Sequence, residues 1–334
     1  MAIIPLRSPR YESLEAPSGA VSVKLALTIG GTLRYTIIKD CTAGDSAVFE
    51  IAELCRDYLE PKMAASKPTS TNQVAISRAI TFYDGANATG SIVQYSGADT
   101  NTVTHTGLDG YGAFIDGANP TITDDTWIIT PEYLAAGNVY NVYVPESTAG
   151  TIQTISSEVI TNQSFGVSDT VIEVHSTKIF INRINCTKYG IGQKITFINK
   201  FGALQDLWFF LKEVNTLTTK SEKFQRNIMN FKDATNITYN TIEHPVSIFN
   251  KQGKQTIKLS SGYYPEWTTA WFEELLLSEQ VWFTRTDYNN PSADEIIPVN
   301  VKTSNMTHKT SVNDKLIEYT IDFEEAFDYI NNVR

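Results

Sequence analysis

The chain has 334 residues and a formal net charge of −10, with 42% hydrophobic and 19% charged residues. That length is enough for two or three domains with cores of their own, and the apolar content excludes wholesale disorder. With 27 Lys and Arg against 37 Asp and Glu and no basic block, the chain is not expected to bind nucleic acid directly; no apolar run approaches a membrane span. The lean towards Thr, Ile, Asn, Val and Tyr favours sheets over helical bundles. Cys41, Cys55 and Cys186 show no CxxC spacing, which argues against a disulfide framework or a thiolate zinc site and leaves buried free thiols.

The opening stretch MAIIPLRSPRYESLEAP lacks an apolar signal region and a cleavage site, so a protein made in a cytoplasm is expected. Residues 1–18 read as an extended arm. Pro5, Pro9 and Pro17 block helix, and Ile3, Ile4 and Leu6 make the arm sticky enough to dock on a neighbouring subunit. Val23, Leu25, Leu27 and Ile29 then alternate with small or polar residues, and Gly30-Gly31 turns the chain into a second strand ending near Ile38. Phe49 to Leu59 reads as a strand entering a short helix, with Ile51, Leu54, Cys55 and Tyr58 on one face. Residues 66–71 read as a linker.

Strands resume at Val74–Phe82 and Ile92–Tyr95. Ser96 to Asn119, rich in Gly, Asp and Thr, reads as loop. Trp127–Ile129, VYNVYV at Val139–Val144, Ile152–Ile160 and Val171–Ile184 complete the N-terminal set. Short strands with turns about every ten residues predict a β-sandwich, and the pattern is similar to fibronectin-III or immunoglobulin-like modules, without the Cys…Trp…Cys of true immunoglobulins.

Lys194 to Leu211, KITFINKFGALQDLWFFL, predicts a β-hairpin with its turn at Gly202 and an aromatic arm that anchors a C-terminal domain. Ser221–Phe231 reads as strand or short helix. Glu243–Phe249, Gln255–Leu259, Ile296–Lys302 and Leu316–Phe323 read as strands, followed by a short amphipathic end. Thr268–Leu277 reads as the one clear helix, capped by Thr268 or Thr269, with Trp271–Leu275 and Phe272–Leu276 as apolar pairs. The predicted fold is mainly β. It comprises the arm at 1–18, sandwich modules over 19–185 with a division considered near 66–72, and a β-rich C-terminal assembly domain over 186–334 with one short helix.

Candidate chemistry is sparse. His105, His175, His244 and His308 stand singly, with no metal-binding pair and no G-x-S-x-G elbow. The carboxylate pairs Asp124-Asp125, Glu273-Glu274 and Glu324-Glu325 are adjacent in sequence; on a strand such residues point to opposite faces, and the helical pair is expected to face solvent. Asp99, Asp109 and Asp116 lie among glycines without EF-hand spacing, and Gly30-Gly31 lacks a phosphate-loop frame. No enzyme, cofactor or metal is expected. Tyr263, Tyr264, Trp267 and Trp271 form an aromatic cluster that fits a protein interface, a sugar-stacking surface or the packing of the helix on its sheet.

The last 140 or so residues resemble structural proteins of tailed bacteriophages. The resemblance rests on Gly202–Phe210 (GALQDLWFF), the helix with its continuation Ser278–Trp282, Ile296–Val301 (IIPVNV) and Lys315–Tyr329 (KLIEYTIDFEEAFDY). Their order is similar to neck and tail proteins, including those of crAss-like phages. The resemblance implies a non-enzymatic virion component assembled in the host cytoplasm. It would form a ring or tube of identical subunits, hexameric or twelvefold, that docks neighbouring tail, neck or baseplate proteins. The alternatives are a carbohydrate-binding, adhesive β-sandwich using the aromatic cluster, and, more remotely, a β-sandwich hydrolase.

Overall fold

Alternating apolar residues build two large sheets with a small β unit between them. The computed structural model describes residues 2–59, 63–64, 67–68, 73–122, 139–156, 159–174, 177–185, 192–230, 238–285, 295–308 and 316–330. The expected strand at Trp127–Ile129, most of the 66–71 linker, Asp124, Asp125, His175 and Cys186 lie outside the described residues.

The N-terminal sheet contains β1 (Ala2–Pro5), β3 (Ser22–Ile29), β4 (Thr32–Asp40), β6 (Gln73–Tyr83) and β7 (Asn101–Leu108), in the order β1-β7-β6-β3-β4. The β3–β4 hairpin forms as its sequence predicts. Gly30 and Gly31 both take positive φ, 57° and 79°, the conformation a two-residue hairpin turn needs and only glycine adopts without strain. Val23, Leu25, Leu27 and Ile29 are buried along one face. The layer over that face is a two-stranded pair, β2 (Tyr11–Glu15) with β5 (Ser46–Glu50), and the helix α1 (Ala52–Arg56), whose Cys55 is buried. β3 and β6 bond along their length, so the division considered near residues 66–72 falls within a single sheet.

Two expectations are corrected here. The arm is not free: β1 pairs in parallel with β7, from Ala2 opposite His105 to Pro5 opposite Leu108. Ile3, Ile4 and Leu6 are 3%, 0% and 2% exposed, so they fill this chain's own core. Burying such side chains stabilises by about 1.5–3 kcal/mol each, which outweighs the freedom of a short tail. The stretch read as loop also contains a strand, β7 (NTVTHTGL). Its polar side chains hide the period-2 signal, and its place between β1 and β6 comes from backbone pairing. Gly107 admits the arm here, since a Cβ on it would stand 2.6 Å from a Leu6 methyl.

The small unit holds β8 (Val139–Pro145), β9 (Gly150–Ser156), β10 (Val159–Phe165), β11 (Val171–Val174) and β12 (Thr177–Ile184). β12 lies between a parallel β8 and an antiparallel β11, while β9 and β10 form a hairpin; Tyr140, Ile152, Phe165 and Ile179 are among its core. Side-chain amides tie it to both neighbours. Gln73 accepts the Ile160 N–H at 3.1 Å, and Gln153 accepts the Leu204 N–H at 2.8 Å.

The C-terminal sheet is antiparallel and seven-stranded. Its strands are β13 (Gln193–Ile198), β14 (Leu204–Phe209), β15 (Glu213–Gln225), β16 (Val246–Ser260), β17 (Val281–Arg285), β18 (Glu295–Val301) and β19 (Thr320–Glu325), in the order β14-β13-β17-β18-β19-β16-β15. The predicted hairpin is β13–β14. Gly202 sits at φ +87° against Asp109 and Gly110, and Asn199 Oδ1 accepts the N–H groups of Phe201 and Ala203 across the turn. Phe209, from the aromatic arm, meets Phe272 and Phe323 edge-on at 6.2 and 6.0 Å. Phe272 belongs to α2 (Thr269–Leu277), the predicted helix, which packs on this sheet and is entered through a 3₁₀ turn at Glu266–Thr268. Neither threonine caps it: their hydroxyls donate to the Pro265 and Glu266 carbonyls instead. The amphipathic C-terminal stretch forms no helix among the described residues and leaves Phe327 and Tyr329 exposed.

Candidate assembly surface

β15 has the sequence EVNTLTTKSEKFQ, with few large apolar side chains and no alternation, so neither of its faces can be driven into a core. It pairs with β16 from Glu213 opposite Leu259 to Gln225 opposite Val246, with a bulge between Lys220 and Glu222. On its other side β16 is held by β19 only over Thr256–Ser260, and by the Tyr329 N–H to the Gly253 carbonyl at 2.8 Å. Beyond Thr219 and Gly253 the two strands stand alone among the described residues, as a ribbon about 20 Å long at ~3.3 Å per residue. A further short pairing of Met229–Asn230 with Thr238–Tyr239 lies towards the tip.

The ribbon exposes apolar side chains on both faces. Directly opposed residues share a face, so Val246 and Ile248 stand beside Gln225 and Lys223 on one side. Phe224 and Phe249 stand on the other, rings 5.7 Å apart and edge-on, 47% and 46% exposed. Ile242, near the tip, is 85% exposed. An isolated two-stranded hairpin is marginal in water, and clustered exposed apolar groups on one mark a contact surface.

The ribbon's charge is opposite to that of the whole chain. Residues 213–260 carry seven Lys and Arg against four Asp and Glu, in a chain of net charge −10. Some of these groups are engaged: Arg226 pairs with Glu243 at 2.7 Å and Lys254 with Glu324 at 3.0 Å. The Glu324 hydrogen bond raises the Lys254 pKa, and the same bond lowers that of Glu324. Lys220, Lys223 and Lys251 have no ion-pair partner among the described residues.

The residues singled out from sequence lie elsewhere. Tyr264 and Trp271 are 1% and 4% exposed and Trp267 is half-buried; Tyr143 of β8 closes over them, 5.4 Å from Tyr264 and 6.1 Å from Trp271. The cluster is therefore core that joins the small unit to the C-terminal sheet, and Tyr263 alone of the four faces solvent. The sugar-stacking surface is corrected on that ground. Glu274, expected in solvent, is buried and accepts the Lys200 N–H at 3.1 Å, while Glu273 faces His308 at 3.3 Å. Glu324 and Glu325 do point to opposite faces: Glu325 is buried and pairs with Arg285 at 3.1 Å.

A buried ionic network that the sequence did not reveal lies beneath the arm. Glu12 of β2 accepts from Arg10 Nε at 2.9 Å and Arg78 Nε at 2.8 Å, with His105 Nε2 3.1 Å away. Burial alone would push the Glu12 carboxyl up. Hydrogen bonds from His105, Arg10 and Arg78 overcome this and hold it at about 2. Arg78 also bonds both the backbone carbonyl and the side chain of Asn101, locking β6 to β7. Burial pushes the Cys55 thiol up to about 12, which makes it a poor nucleophile. Among the described residues no three His, Cys, Asp or Glu side chains gather as a metal site, and no helix is long and apolar enough to cross a membrane.

The described fold thus belongs to a mainly β protein whose most prominent exposed feature is a projecting ribbon. No protein-family model, curated protein or solved structure matches the chain.

Proposed function

We propose that this protein is a non-enzymatic structural subunit that assembles with copies of itself into a ring or tube, as a neck, tail or baseplate component of a tailed-phage virion. The observation that carries the reading is the β15–β16 ribbon. It projects beyond its sheet with apolar side chains bare on both faces, an arrangement that burial in an assembly would stabilise. The resemblance of the C-terminal third to phage neck and tail proteins supplies the particle, and sixfold or twelvefold closure follows from that resemblance. In this reading the partners are further copies and adjoining virion proteins, with no direct part for nucleic acid or membrane.

The test is to excise the ribbon by joining Thr216 to Thr256, a directly opposed pair, through an Asn-Gly turn. Light scattering and negative-stain imaging of the full chain should show rings or tubes, and the excised chain should be a folded monomer. A full chain that stays monomeric at every concentration would sink the self-assembly reading.

A further inference from the structure

The ribbon's three unpaired lysines have a counterpart on the N-terminal sheet. Asp40 at the end of β4, Asp45 in the turn that follows and Glu53 on α1 are exposed and have no ion-pair partner among the described residues. The basic groups near them are already engaged. Lys39 donates to the Val48 carbonyl at 2.7 Å, Arg34 lies over the Tyr58 ring and Arg56 pairs with Glu279. Arg34 and Lys39 keep their positive charge, and against them Asp40, Asp45, Glu53 and Asp57 leave this corner net negative. It is also an open edge: among the described residues β4 pairs with β3 alone, and Leu33, Ile38 and nearby Val48 are exposed. β15 is likewise an open edge, paired among the described residues with β16 alone.

We infer that the ribbon of one copy docks, along its β15 edge, on the β4 edge and acidic corner of a second copy. This rests on the self-assembly reading above and names its contact. Three observations select this occupant. Charge complements charge, with Lys220, Lys223 and Lys251 facing Asp40, Asp45 and Glu53. Each side offers an unpaired strand edge, so main-chain bonding can continue from one copy's sheet into the next. The two surfaces also lie well apart on one chain. The N-terminal unit touches the turn after β13, and β15 is five strand spacings further across the sheet, about 24 Å at ~4.8 Å each. Like charge disfavours ribbon meeting ribbon, so the contact is head-to-tail, the kind that closes into rings or extends into tubes.

Charge exchange in the full chain tests it. Three variants are compared with wild type by concentration-dependent light scattering: K220E/K223E/K251E, D40K/D45K/E53K, and all six together. Circular dichroism confirms that each is folded. Each triple variant should raise the concentration at which the protein assembles by about tenfold, and the six together should return it to within about threefold of wild type. If either triple assembles like wild type, or the six together do no better than the triples, the contact is overturned while the self-assembly reading stands. A wild type that never assembles overturns both.

Discussion

Glu12 shows how a single buried carboxylate couples this fold to pH. Its pKa in the folded state, about 2, lies below the ordinary 4.5, so it contributes stability that is complete above pH 4.5 and is lost as pH falls towards 2. At about 1.4 kcal/mol per unit this amounts to roughly 3 kcal/mol. Glu12→Gln should therefore destabilise the protein by about 3 kcal/mol at pH 7, since it leaves Arg78 buried beside a neutral partner. The variant should also lose less stability than wild type between pH 5 and 2, as read from urea unfolding at both ends of that window. Gly202 is a second decisive residue. At φ +87°, with backbone nitrogens of Asp109 and Gly110 within 2.8 Å of where a Cβ would stand, it has no room for one. Gly202→Ala should cost about 2–3 kcal/mol, measured as a lower urea midpoint with an unchanged slope. That glycine was legible as a turn residue; its tight seat against another part of the chain was not.

At the scale of elements, local signals carried where one face is wet and one dry. The β3–β4 hairpin and the β13–β14 hairpin announce themselves by alternation and glycine turns, and α2 by the 3.6-residue spacing of Trp271, Phe272 and Leu275. β7 does not, because it has too few large apolar side chains to alternate, and its place is set by backbone pairing with β1 and β6, which are distant in sequence. β1 was seen as sticky but assigned to a neighbouring subunit; its partner is β7 of the same chain. Removing residues 1–6 should accordingly destabilise the monomer by several kcal/mol, since Ile3, Ile4 and Leu6 leave the core. Thermal melting of the truncated chain at a concentration where the full chain is monomeric checks this. An unchanged melt would mean that the buried arm contributes little.

The whole molecule is knit at one junction. Ile3 of the arm, Leu108 of β7, Ile160 of the small unit and Ala203 of the hairpin turn form one apolar cluster, and the Gln73 and Gln153 amides bond across the same region. Trp208 and Tyr143 continue that contact into the C-terminal core. Tyr264, Trp267 and Trp271 are used up in this joining, which leaves Tyr263 as the exposed member of the aromatic cluster. The ribbon, at the far edge of the C-terminal sheet, instead carries exposed apolar side chains, among them Phe224, Phe249, Val246 and Ile248.

Composition and periodicity were enough to determine a mainly β chain with a short helix on its C-terminal sheet, because burial of alternate side chains is a local pattern readable along the strand. Which aromatic residues end up inside, which strand edges stay open and where opposite charges lie are settled by pairings between residues far apart in sequence. Tyr264 and Trp271 are hidden by Tyr143, more than a hundred positions earlier, and the outer half of β16 is left without β19 because that strand pairs with it only over Thr256–Ser260. Those choices, made only in three dimensions, are the ones on which the proposed role of the ribbon depends.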